Sequence, residues 1–242
     1  SVDARLDSIY NTEPVFNLHE TMVYSDVGII ILGKIVETIS KVKLDVFVQS
    51  NIFDPLGMNN TFYNPPKEKL HRIVPTEIDP TGKLIKGYVH DENAYSIGGV
   101  AGHAGLFSKT KDLAIFSQMM LNKGLYGWKR IFRSETVELF TQRSNIIDGS
   151  SRCLGWDSPS DKASGGVYLS NTSFGHTGFT GTSLWIDPEN DMIVILLTNA
   201  VHPNRESKTP NYFDWRQRIH SAVYECVGSA EKNPDLQWRK KW

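Results

Sequence analysis

Two short runs of this chain have residue types and settings suited to acid–base and nucleophilic chemistry. The first is Gly175-His176-Thr177-Gly178-Phe179-Thr180-Gly181. Its glycines let a backbone approach a ligand closely, and its N–H groups can face a developing oxyanion. The same heptapeptide serves equally as an ordinary glycine-rich entry into a strand. The second is Tyr24-Ser25-Asp26, placed where a helix should begin. A tyrosine there can relay a proton, and the helix dipole favours negative charge on its phenolate. A Ser-Asp pair is also the usual helix cap.

Other candidates carry less. His90-Asp91-Glu92-Asn93 and His103 offer metal-ligand types, but without H-E-x-x-H or related spacing, so no metal and no cofactor is expected. The adjacent acids Asp91 and Glu92 are poorly placed for a glycosidase, because neighbours in sequence seldom face each other across a bond. Gly98–Gly105 lacks the Lys-Ser/Thr of a phosphate loop. Trp238 and Trp242 among Arg239, Lys240 and Lys241 read as a solvated end rather than a nucleic-acid platform.

These residues need elements to position them. Ser25 or Asp26 caps a helix predicted to run to about Ser40, with Val27, Ile30, Ile31, Ile35 and Ile39 at helical spacing. It is apolar on more than one face, which predicts deep burial. A shorter helix is expected from Leu44 to about Asn51, stopped by Pro55-Leu56-Gly57, followed by irregular structure over 59–93. Further helices are expected over Lys111–Asn122, closed by Gly124, and from Ser134. After about residue 150 the pattern turns to strands: Cys153–Trp156, Gly166–Leu169, Thr182–Ile186 and Met192–Leu197, the last two joined by a hairpin turn at 187–191. A final helix over Phe213–Val227 would bury Trp215, Ile219, Val223 and Cys226. The layout is α+β.

Composition sets the frame. The chain has 242 residues, 40% hydrophobic and 22% charged, with a net charge of −1, enough for one sizeable core and without an electrostatic pull toward nucleic acid or anionic membrane. Ile29–Leu32 is too short to span a bilayer, and the first residues lack a signal peptide's apolar core, although a leader can have preceded Ser1. Cys153 and Cys226 lack metal-ligand spacing; they read as two free thiols, with a single disulfide also open.

Taken together, Tyr24-Ser25-Asp26 and His176-Thr177-Gly178 resemble the second and third elements of the penicillin-binding-protein and serine β-lactamase superfamily, which joins S-x-x-K, Y-x-N or S-D-N, and K-T-G. The runs 51–58, Gly105-Leu106-Phe107-Ser108 and Trp185-Ile186-Asp187-Pro188 with Leu197-Thr198-Asn199 resemble its class C and esterase branch. The resemblance covers nearly the whole chain. It implies a β-lactamase/transpeptidase-like fold as a single domain over 1–242, with a helical lobe to about 150 and a sheet with closing helix over about 151–230. It implies Tyr24 as general base and acid, His176 and Thr177 as substrate-carboxylate or tyrosine partners, and the N–H of Phe179, after Gly178, in an oxyanion hole. His176 stands where lysine is usual and Asp26 where asparagine is usual, which favours esterase or peptidase chemistry over penicillin.

The first motif is missing. No S-x-x-K precedes Tyr24, and Ser40/Lys43, Ser108/Lys111 and Ser229/Lys232 fall at element ends or in the tail. The domain is therefore expected to be N-terminally incomplete, without its first strands and central S-x-x-K helix, and inactive alone. The parent would be a serine hydrolase of amides or esters in the periplasm or cell envelope, acting on a small molecule or peptide such as a cell-wall peptide. Gly87–Ala94 and Asn199–Pro203 are also similar to a module downstream of bacterial β-N-acetylhexosaminidases, which implies an accessory role in such a polypeptide. A non-catalytic module that binds peptidoglycan or braces a neighbour is the alternative. An absent central helix would uncover large apolar side chains, at roughly 1.5–3 kcal/mol each. This predicts association with an N-terminal segment or a second copy, or cleavage after folding.

Overall fold

The computed structural model describes residues 1–240, so Lys241 and Trp242 of the tail lie outside the described residues. It divides into two compact units, Ser1–Asp112 and Leu113–Trp242. In the first, α1 (Val2–Tyr10) precedes α2 (Asp26–Ser40), α3 (Leu44–Val48), a π-helical turn over Gln49–Phe53 and α4 (Asp54–Leu56). Thus the helix expected to end near Asn51 continues through Pro55. It stops at Gly57, whose φ of 70° is the left-handed cap that glycine supplies most readily. A two-residue ladder pairs β1 (Phe62–Tyr63) with β2 (Leu106–Phe107), on either side of α5 (Glu92–Ser96). The core gathers Ile30, Val89, Ala94, Ile97 and Ala101. Leu6 and Ile9 of α1 pack against it, so their i, i+3 spacing marks a helix that sequence reading passed over.

Helix α2 begins as its sequence dictates: Ser25 is extended and its side chain accepts from the Gly28 N–H at 3.1 Å. Its burial is different from expectation. Only Ile30 and Gly33 are buried, whereas Leu32, Ile35 and Ile39 are exposed. An all-round apolar helix signals burial only where something covers every face.

The second unit begins within α6 (Thr110–Leu121) and includes the hairpin β3 (Leu125–Tyr126) and β4 (Lys129–Arg130), and α7 (Ser134–Thr141). It then forms an antiparallel sheet in the order β5 (Phe174–Thr177), β6 (Ser183–Asp187), β7 (Met192–Leu196), closed by α8 (Pro210–Val227). The β6–β7 hairpin stands where its turn residues place it, and Asp187 accepts from the side-chain amide of Asn190 at 2.9 Å. Helices and an antiparallel sheet make the α+β class that the sequence implied.

Three expectations in this unit are corrected. Residues 153–156 form a turn closed by Cys153 N–H on Trp156 O at 3.0 Å, with Gly155 at φ 83°. Gly166, Val167 and Leu169 are buried and Tyr168 partly so, but residues 166–169 form no strand. Their backbone groups bond elsewhere: Val167 N–H to Ser221 Oγ, Val167 O from Asn233 N–H, and Leu169 O from the Asn233 side chain. In α8 the inward face is polar. Of the expected stripe Val223 packs against the core, but Trp215, Ile219 and Cys226 are exposed, while Arg216, Gln217, His220, Ser221 and Tyr224 are buried.

Most groups on that polar face have partners, although Arg216 Nε and His220 Nδ1 are buried without a hydrogen bond among the described residues. Tyr224 Oη donates to Asp187 at 2.8 Å, Ser183 Oγ and His220 Nε2 lie 2.7 Å apart, and Gln217 Nε2 donates to Ala163 O at 3.1 Å. Around them Ala163, Val167, Leu169, Trp185, Val194, Tyr224 and Leu236 form the core. The tail is docked rather than solvated as far as it is described. Leu236 is fully buried, Trp238 meets Tyr168 edge-on at 6.5 Å, and Arg218 lies 5.0 Å over the Trp238 ring. Both cysteines are free. Cys153 is buried and donates to Thr141 O at 3.2 Å, and burial, then the Asp157 charge, push its thiol up to about 11.

Candidate active site

In the first unit, Tyr24 lies outside regular structure, two residues before the first residue of α2, and is 60% exposed. Ser25 is occupied by the cap of α2, accepting from the Gly28 N–H. His90 and His103 each face a carboxylate. His90 Nε2 lies 2.7 Å from Glu77 Oε2, and His103 Nε2 lies 2.8 Å from Asp91 Oδ1. Asp91 caps α5, accepting from the Ala94 N–H at 2.7 Å, and Glu92 is the first residue of that helix. An acid in each of those two positions stabilises a helix start.

In the second unit, His176 and Thr177 end strand β5, paired with Leu184 and Ser183 of β6. The glycine before them is there for packing. A Cβ at Gly175 would lie 2.4 Å from Leu184 O and 2.5 Å from the Trp185 ring. On its other side Gly175 exchanges two backbone hydrogen bonds with Asp157, at 2.8 and 2.9 Å. Backbone groups alternate sides along a strand, so the N–H and C=O of Thr177 point to the same edge as those of Gly175. Asp157 bridges Gly175 of β5 and Arg152, and among the described residues of the unit no strand pairs with the edge beside Thr177. Gly178 then turns the chain, its N–H bonding Thr182 O at 2.8 Å.

The state of His176 follows from its neighbours. Nδ1 is 2.9 Å from Thr177 O, a group that only accepts, so Nδ1 carries the proton. Nε2 faces Arg152 Nη1 at a long 3.5 Å. Arg152 also lies 4.0 Å from Asp157 Oδ2. An imidazole with a permanent cation beside it therefore stands where the resemblance has a lysine.

Phe179 is exposed, and Lys208 Nζ donates to its carbonyl at 2.6 Å while lying 5.0 Å over its ring. Burial, then the Arg216 charge, lower the pKa of Lys208. Sequence reading found neither Arg152 nor Lys208. Both are single basic residues in loops far from the motif, and only folding brings them to it. His176, Thr177, Gly178 and Phe179 thus form one continuous edge in the second unit, and Tyr24 and Asp26 share one helix start in the first.

A helical unit presenting a tyrosine at a helix start, and an antiparallel sheet with His-Thr-Gly on its outer strand, define a β-lactamase/transpeptidase-like fold. The chain belongs to the Beta-lactamase family, whose model matches residues 2–218. It is 38% identical over 242 residues to an Escherichia coli (strain K12) protein named "Putative D-alanyl-D-alanine carboxypeptidase", covering 92% of this chain and 55% of that protein. The chain thus spans about half the length of such relatives. Among solved structures it is similar in fold to simvastatin synthase from Aspergillus terreus (TM-score 0.69, 16% identity, covering 93% of this chain and 61% of that one). It is similar also to a penicillin-binding protein homologue from Caulobacter crescentus (TM-score 0.69, 16% identity, 93% and 64%).

Proposed function

We propose that this chain supplies the tyrosine and His-Thr-Gly parts of a serine acyl-transfer site that hydrolyses an amide or ester lying beside a carboxylate. The observation that carries the reading is the edge of β5 at Thr177. A peptide laid along that edge gains main-chain hydrogen bonds from Thr177, in the manner of strand addition. Its carboxylate meets Arg152 and His176, and its scissile carbonyl reaches the turn at Gly178-Phe179. Tyr24 moves the proton to and from the nucleophile, and Asp26 sits beside it. The E. coli relative's name supports a peptide ending in D-alanyl-D-alanine as the substrate class, and hence a place in the cell envelope. No described helix is long and apolar enough to cross a membrane.

The nucleophilic serine belongs, in this proposal, to sequence outside residues 1–242, because no S-x-x-K precedes Tyr24. A labelled fluorophosphonate or fluorescent penicillin tests this. The polypeptide that carries this chain should label once, and residues 1–242 alone should not. Labelling of a serine within 1–242 overturns the assignment, and a full-length polypeptide that never labels favours the second reading. That reading, a peptidoglycan-binding or bracing module, is favoured by the same missing motif.

The exposed Leu32, Ile35 and Ile39 of α2 support a further segment of the polypeptide, or a second copy, as a partner that covers them. Light scattering of residues 1–242 is expected to show self-association. A monodisperse monomer at micromolar concentration sinks that part of the proposal.

A further inference from the structure

Asp26, Asp91 and His103 are scattered along the first unit's sequence, yet one ligating atom from each lies within 4.8 Å of the other two. Each is held by a separate local feature. Asp26 is the first residue of α2, fixed by the Ser25 cap. Asp91 is the N-cap of α5. His103 follows Gly102, which passes so close to α2 that a Cβ there would lie 2.3 Å from Ile29 O. Only glycine permits that approach, and it pins His103 against the start of the helix.

The protein leaves this cluster electrostatically incomplete. Asp91 Oδ1 takes both the Ala94 N–H and His103 Nε2, and the Asp26 carboxylate makes no hydrogen bond or ion pair among the described residues. The His103 side chain is only 4% exposed, and its Nδ1 is buried without a partner. An enclosed imidazole whose hydrogen bonding the protein does not complete is the kind of group that a water or an ion completes. Two neighbouring carboxylates beside it give that ion a positive sign.

We propose that Asp26, Asp91 and His103 form a zinc-binding site. One imidazole and two carboxylates are three ligands of the kind that zinc takes, with a fourth position left for water. Calcium asks for six to eight oxygens, more than this cluster offers. Tetrahedral zinc with bonds of about 2.0–2.2 Å needs ligating atoms ~3.4 Å apart. The unrestrained Asp26 side chain can close the remaining distance by rotation. Zinc here would also fix the start of α2, two residues after Tyr24; the site shares Asp26 with the acyl-transfer reading, but its test reads metal binding and not acylation.

Isothermal titration of the untagged, chelator-stripped full chain with Zn²⁺ tests the proposal, with Co²⁺ absorbance as a second readout. The expected result is one equivalent bound, and a visible tetrahedral cobalt band. Asp26→Asn and His103→Gln should each weaken binding at least about tenfold and abolish the band. Circular dichroism reports whether each variant folds. Should His103→Gln unfold, Asp26→Asn decides, since Asn keeps the helix start. No stoichiometric binding by the folded chain, or binding undiminished in Asp26→Asn, overturns the site.

Discussion

Replacing Tyr24 with phenylalanine is expected to slow acylation of the polypeptide that carries this chain by about 10²–10⁴-fold, the usual contribution of a positioned acid–base group. The change removes one oxygen from an exposed ring, so stability should barely move. That separates the proton relay from the helix start it adjoins. Ser25 supplies the cap to Gly28, and Ser25→Ala should instead cost about 1 kcal/mol of stability while leaving the phenol in place. Single-turnover release of D-alanine from a D-alanyl-D-alanine peptide, alongside chemical denaturation, reads both effects. A Tyr24→Phe enzyme that acylates at the parental rate removes Tyr24 from the reaction.

The second large effect is acid lability of the sheet and α8. His220 is buried on Ser183, and burial, with the nearby Arg216 charge, lowers its pKa to about 4. The unfolded chain takes up that proton near pH 6.5, while the folded chain does not until about pH 4. The unfolded state therefore binds more protons across this window, and stability falls as pH drops through it. At about 1.4 kcal/mol per pH unit the loss reaches about 3 kcal/mol.

Asp187 extends the trend. Burial alone would raise its pKa, but hydrogen bonds from Ser170, Asn190 and Tyr224 outweigh that and hold it below the ordinary carboxylate range. Its stabilisation is complete above the unfolded value and is lost as pH falls through the folded one. Urea midpoints measured from pH 7 to 4 should decline, and His220→Gln should flatten the upper part of the curve. A flat wild-type profile between pH 6.5 and 4.5 would show that His220 is not held neutral by the fold.

Local chemistry was legible in the sequence and tertiary cover was not. The Ser25 cap, the β6–β7 turn and the helices over 110–121 and 134–141 follow from residues a few positions apart and stand as expected, except that Ser134 is the first residue of its helix and not its cap. The strands expected at 153–156 and 166–169 had strand-like composition, but a strand needs a neighbour. Here the backbone of Val167 and Leu169 is taken by Ser221 and Asn233. In α8 the apolar stripe pointed the wrong way, because Gln217, His220 and Tyr224 find partners on the sheet and loops that a helical pattern cannot display. The His-Thr-Gly run was visible at once, whereas Arg152 beside it and Lys208 on Phe179 depend on loop paths that composition does not encode.

The docked tail bears on how the second unit is to be handled. Its last helix ends at Val227, and a boundary chosen there would look natural. Yet Asn233 closes the backbone of Val167 and Leu169, and Leu236 lies wholly inside the same cluster. Trimming at the helix end would strip one wall from the sheet's packing and leave those carbonyls to water. The working end of this fold is a stretch without regular structure, and shortened versions need to run past Trp238 to keep it closed.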